Sequence, residues 1–165
     1  MTHEIAKEDG EQNILWRLSI AEVEQDGPFS LFAGLRRSLT VITGNGMDLC
    51  DAVGNVAHAA PLLQPITFSG NEVLKGVLRN GPCQDFNLIF DPKIFEGRVD
   101  IFEGRGATAN LTPSNTSTGL LCLGATMTCN GQLLNHHDFV FLNPADGTVK
   151  LSSLSKVLRV ALKQL

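Results

Sequence analysis

The chain has 165 residues, 43% of them hydrophobic and 18% charged, and a formal net charge of -4. That length suits one domain of ordinary size, and the apolar content excludes intrinsic disorder and any need for a disulfide or metal to build a core. Thirteen Lys plus Arg against seventeen Asp plus Glu, with no basic cluster longer than Arg36-Arg37, exclude an electrostatic footprint for nucleic acid.

In chain order, residues 1–11 are of mixed charge and lack the apolar run of a signal peptide, so residues 1–13 are expected to form a flexible tail before a single domain spanning 14–165. No window approaches the ~18 apolar residues of a membrane span, so a cytoplasmic location away from membranes is expected. Beyond the tail, Asp26-Gly27-Pro28, Gly44-Asn45-Gly46, Ser69-Gly70, Asn80-Gly81-Pro82, Asn130-Gly131 and Asp146-Gly147 separate short apolar runs. Such punctuation predicts an all-β domain with hairpins. Strands are predicted at 14–23, 38–43, 47–53, 73–78, 86–90, 119–128 and 139–142, all rich in Val, Ile, Leu, Phe and Thr. The segments 39–49 and 123–134 each read as a strand, an Asn-Gly turn and a returning strand, which hints at a duplicated half. Residues 104–118, rich in Gly, Thr, Ser and Asn, read as a loop joining a first lobe at 14–103 to a second at 119–165. At the C-terminus, Leu154, Val157, Leu158, Ala161, Leu162 and Leu165 fit a helical face, whereas Leu158, Val160 and Leu162 alternate as in a strand; periodicity leaves both open.

Cys50, Cys83, Cys122 and Cys129 form no C-x-x-C pair and are expected to be reduced, small apolar residues. His136 and His137 would point to opposite faces of a strand, so they do not chelate one ion unless the chain turns there. Asn110 and Asn115 match glycosylation sequons but, without a secretory signal, are read as chance matches.

The most unusual stretch starts at Trp16. On a strand, Arg17, Ser19 and Ala21 share one face, and Trp16, Leu18 and Ile20 the other. Likewise Asp85 and Asn87 share a face opposite Phe86 and Leu88, and Arg37 begins another strand. Three strands thus offer polar groups to one interior. The ordered run Trp16-Arg17-x-Ser19-x-Ala21, Asp26-Gly27-Pro28-Phe29-Ser30-x-Phe32-x-Gly34-x-x-Arg37, Gly44-x-Gly46, Phe68-x-Gly70 and Gly81-Pro82-x-x-Asp85-Phe86-Asn87 resembles the HutD/Ves family. Looser likeness continues at Gly131-Gln-Leu-Leu and Asp138-Phe-Val-Phe-Leu.

The resemblance implies a cupin-like (RmlC-like) double-stranded β-barrel with two related lobes in one compact unit, and a strand at 156–162. It also implies a non-metal protein that binds a small anionic metabolite, a sensor or modulator linked to histidine utilisation or a stress response, with N-formylglutamate or urocanate as the ligand. Arg36 stands where the family commonly has an acidic residue. Because the His-x-His signature of metal cupins, followed by Glu, is absent, no metal and no cofactor are expected.

The candidate ligand-binding residues are Arg17, Ser19, Phe29, Ser30, Arg37, Asp85 and Asn87; no catalytic residue is assigned. The arginine forks suit a carboxylate, and Ser19, Ser30 and Asn87 supply neutral hydrogen bonds. The plain alternative is that Arg17 or Arg37 pairs with Asp85 in a closed polar network. Phe29, Phe32 and Trp16 read chiefly as packing. A competing class is a metal-independent isomerase, lyase or hydrolase using Asp85 or His136/His137; a third is a structural barrel without a ligand. Exposed strand edges allow a homodimer.

Overall fold

The computed structural model describes residues 1–11, 13–105, 108–110, 116–143, 145, 148–152 and 154–165. Every named element is a strand, and no helix among the described residues is long and apolar enough to cross a membrane. The chain divides into two compact units, Met1–Ile94 and Phe95–Leu165.

The first unit holds β1 (Thr2–Asp9), β2 (Ile14–Val23), β3 (Gly27–Pro28), β4 (Arg36–Thr43), β5 (Met47–Cys50), β6 (Val56–Ala60), β7 (Ile66–Ser69), β8 (Lys75–Leu78) and β9 (Cys83–Phe90). The second holds β10 (Phe95–Arg105), β11 (Thr108–Asn110), β12 (Thr116–Cys122), β13 (Thr126–Cys129), β14 (Gln132–Asn135), β15 (Phe139–Leu142), β16 (Thr148–Ser152) and β17 (Leu154–Gln164). The first unit is a five-stranded sheet, β1-β2-β9-β4-β7, with a four-stranded sheet, β3-β8-β5-β6. The second repeats it without the β1 equivalent: β10-β17-β12-β15 with β11-β16-β13-β14. Each strand from β10 to β17 takes the place of the strand eight earlier, so the duplication is one of topology.

In each unit the apolar faces of the two sheets close on one core. In the first, Leu39 and Val41 of β4, Phe68 of β7 and Cys83 of β9 meet Met47 and Leu49 of β5 and Ala60 of β6. In the second, Leu120, Cys122, Met127, Cys129, Leu134, Leu142 and Val157 do the same. Burying one of the Leu, Val, Met or Phe side chains among them contributes roughly 1.5–3 kcal/mol. All four cysteines are free and lie buried.

The structure corrects several sequence expectations. Residues 1–13 are not a loose tail: β1 pairs along β2, Glu4 opposite Ser19 and Lys7 opposite Arg17. The mixed charges that suggested solvation meet partners, Glu8 Oε2 accepting from Trp16 Nε1 at 2.6 Å and Lys7 pairing with Asp9 at 2.9 Å. An exposed, charged edge strand also resists pairing with other chains. The segment 39–49 is no hairpin, because β4 and β5 belong to different sheets. Gly44 and Gly46, at φ +88° and +92°, carry the chain between them. A Cβ at Gly44 would lie 2.5 Å from the Pro82 carbonyl oxygen, so only glycine fits. Asn130-Gly131 is a true two-residue hairpin turn, Cys129 facing Gln132 and both turn residues at positive φ. The run 119–128 is broken at 123–125. The boundary between units falls at residue 94/95, since β10 pairs with β17 over its whole length. Of the expected 104–118 loop, β11 and the start of β12 are strand; 106, 107 and 111–115, with part of the Asn110 sequon and Asn115, lie outside the described residues. So does the Asp146-Gly147 turn. The C-terminal alternative resolves to strand β17.

Candidate functional site

Three adjacent strands of the first unit, β2, β9 and β4, build one polar wall. Their antiparallel register sets Arg17 across from Ile89 and Ile89 from Arg37; in the next row Ser19 faces Asn87, and then Ala21 faces Asp85. Paired residues present side chains to one face, so the alternation in sequence becomes a patch in space. The strand between β2 and β4 puts about 10 Å between the Cα atoms of Arg17 and Arg37, two interstrand spacings.

All seven candidate residues line a single cavity of about 260 Å³. Thr2, Ala21, Glu22, Val23, Gln25, Gly27, Pro28, Phe32 and Ile89 complete its wall. Phe29 is seated by β3 beside β8, where a Cβ at Gly76 would come within 2.6 Å of the Phe29 ring. The missing side chain of Gly76 therefore gives that ring its place.

Arg37 is 5% exposed. Its Nη1 donates to the Ser30 carbonyl oxygen at 3.0 Å and its Nη2 to Asn87 Oδ1 at 2.7 Å, while its Nε is buried without a partner. The guanidinium carbon lies 5.1 Å from the centroid of Phe29 and 5.2 Å from those of Phe32 and Phe68, a three-ring cation–π enclosure. Asn87 turns its other end to Asp85, donating from Nδ2 to Oδ1. The amide thus sits between cation and acid, and the direct Arg37–Asp85 pair weighed from the sequence is replaced by a relay. Arg17 does not pair with Asp85 either: its Nε stands 3.0 Å from Glu4 Oε2. That contact is an ion pair without hydrogen-bond geometry, since the same Nε has no hydrogen-bond partner.

Burial dominates the electrostatics. It pushes the Asp85 carboxyl up to about 7, with Arg37 and Asn87 only partly opposing it, and pulls the Arg37 guanidinium down to about 10. Arg37 therefore remains a cation at neutral pH while Asp85 is close to half-protonated. Cys83 is held up at about 11 by burial and by Asp85.

Sequence reasoning missed three contributors: Glu4 and Thr2, which belonged to the expected tail, and Phe68, whose ring faces Arg37. The Phe68-x-Gly70 motif was the one signal in the sequence, and only the pairing of β7 with β4, Phe68 directly opposite Arg37, gives that ring its place. Ser30 acts through its backbone carbonyl rather than its hydroxyl. His136 and His137 are in the second unit, their rings stacked at 3.8 Å, with His137 at φ +66°. The chain does turn there, so both rings lie on one side, and burial and His136 lower the pKa of His137. No group of three or more His, Cys, Asp or Glu able to hold a metal occurs among the described residues.

A sequence model of the HutD family matches residues 1–158. A Pseudomonas putida protein described as an uncharacterized 21.2 kDa protein in the hutC 3' region is 40% identical over 124 residues, 73% of this chain and 62% of that protein. The aligned stretch thus spans less than two thirds of that relative. The solved structure of HutD from Pseudomonas fluorescens is 30% identical, with a TM-score of 0.82 over 99% of this chain and 88% of that one. A cupin 2 conserved barrel domain protein from Leptotrichia buccalis, 8% identical, has a TM-score of 0.55 over 100% of this chain and 88% of its own. The fold is therefore cupin-like, as the sequence resemblance implied.

Proposed function

This chain belongs to the HutD family, and from that premise and the cavity in its first unit we propose that it binds a small anionic metabolite. Arg37 carries the reading. It is a nearly fully buried cation beside a cavity, with no carboxylate within ion-pair distance among the described residues and with an orphan Nε–H. A buried charge with no directly paired carboxylate costs several kcal/mol, and an incoming carboxylate that also accepts from Nε–H would offset part of that cost. Apolar and aromatic walls around a few convergent polar groups are the usual form of a small-molecule site. The hutC neighbourhood named for the Pseudomonas putida relative supports a sensor or modulator linked to histidine utilisation.

Proton NMR of the protein with N-formylglutamate, urocanate, histidine and glutamate, followed over hours, tests this. Selective broadening of a carboxylate ligand without new signals is the expected result, and it should vanish in Arg37→Met. Silence across the panel refutes the anionic ligand. One observation favours a second reading: the Asp85 carboxyl, pushed up to about 7 inside the cavity, suits a general base. Product signals that disappear in Asp85→Asn would establish that enzyme.

A further inference from the structure

The N-terminal strand belongs to the same cavity, and the reading that follows rests on the proposed anion site. Thr2 of β1 lines the cavity wall, and the Met1 ammonium donates to the Glu22 carbonyl oxygen at 3.1 Å, anchoring the start of the strand beside it. Two residues on, Glu4 stands across from Ser19, one of the wall residues, and its carboxylate approaches Arg17. The two cavity arginines are therefore unequal. Arg37 has only neutral partners, whereas Arg17 already has a carboxylate at its Nε. Among the described residues, the terminal Nη groups of Arg17 have no hydrogen-bond acceptor. Lys7, the other cation on β1 near this pair, is itself paired with Asp9 at 2.9 Å.

We infer that Glu4 is a positioning and specificity-determining residue of the anion site. It holds Arg17 by the Nε edge, leaves the Nη edge for hydrogen bonding, and cancels the charge of the second arginine. The cavity then offers one cation without a directly paired carboxylate, Arg37, whose charge the half-ionised Asp85 offsets only in part across Asn87, and it favours anions with one carboxylate. A second carboxylate reaching Arg17 meets Glu4 and is repelled. The Glu4 and Arg17 side chains are 41% and 23% exposed, so the pair adds little to folding stability, and neutralising Glu4 leaves a folded protein. The same partial exposure screens the repulsion and keeps its effect on binding to about fivefold.

Acetate and glutarate, which share carboxylate chemistry and differ in carboxylate number, are the probes. Their affinities are measured by chemical-shift titration of the full chain in wild type, Glu4→Gln and Glu11→Gln. Glu11→Gln makes the same formal charge change at an exposed position outside the cavity wall. The expected result is that Glu4→Gln raises the glutarate-to-acetate affinity ratio about fivefold, with acetate binding changed less than twofold, while Glu11→Gln keeps the wild-type ratio. A ratio unchanged in Glu4→Gln, or shifted equally by Glu11→Gln, overturns the role of Glu4 and leaves the anion site standing. If the wild type binds neither probe, the anion site and the role of Glu4 fall together.

Discussion

Replacing Asp85 with Asn tests the electrostatics of the cavity through the stability of the whole fold. Asp85 is 1% exposed, and burial raises its carboxyl pKa from 3.8 to about 7. A group whose native pKa lies above its unfolded one binds its proton more tightly in the folded state. Between about pH 4 and 7 the native chain therefore holds a proton that the unfolded chain has released, and stability falls as pH rises. Each pH unit in that window costs up to about 1.4 kcal/mol, and about three units give on the order of 4 kcal/mol. The carboxylates with lowered pKa, Asp51, Glu72 and Asp100, act at the acid end of this window and below it, where stability is lost as pH falls, and His137, whose lowered pKa makes stability rise with pH, acts within it equally in both proteins, so the difference between the two isolates Asp85. Asn keeps the shape, and its amide oxygen can still accept from Asn87 Nδ2. Urea unfolding of both proteins at half-unit steps from pH 4.5 to 8 reads the effect directly. The stability of wild type relative to Asp85→Asn should fall up to about pH 7 and then level off. A variant that keeps the wild-type slope would show that Asp85 ionises freely in the native state, and the account of the cavity would be wrong.

Arg37→Met keeps most of the side-chain volume and removes the cation; carboxylate broadening in the NMR experiment should fall at least tenfold, and binding equal to wild type would refute the role of Arg37. Gly76→Ala places a methyl group against the Phe29 ring, which must move out of the cavity wall, so ligand affinity should drop several-fold with a change in melting temperature of only a few degrees. Gly44→Ala combines φ +88° with a Cβ against the Pro82 carbonyl and should cost about 2 kcal/mol or more by urea unfolding. Gly54→Ala has φ +93° but open space around the new Cβ, so it should cost only about 1 kcal/mol; equal losses at the two positions would mean that crowding at Gly44 does not matter.

The alternation Arg17-x-Ser19-x-Ala21 and Asp85-x-Asn87 determined which side chains share a face, because a strand has period two wherever it lies. The predicted strand 14–23 coincides with β2, and 139–142 with β15. Turn residues located the ends of most other runs but not the sheets they join. Gly44-Asn45-Gly46 reads as a hairpin from its residue types; whether the chain returns along the same sheet or crosses to another depends on long-range packing, here of β5 against β6 and β8. The polar groups of the site likewise come from strands up to about 70 residues apart in sequence. Asp85-x-Asn87 sets the acid and the amide side by side on β9, but only the pairing of β9 with β4 brings Arg37 to that amide and completes the relay. The N-terminal segment shows the same limit. Its mixed charges read locally as a solvated tail, and they become an edge strand because β2 offers an unpaired backbone and Arg17 and Trp16 offer partners for Glu4 and Glu8. Composition and periodicity are local properties; they were enough for an all-β reading of most of the chain and for the faces of the Arg17 and Asp85 strands, but not for β1 or β17. The site depends on which strands become neighbours, and that follows from burying the two sheet faces of the first unit against each other.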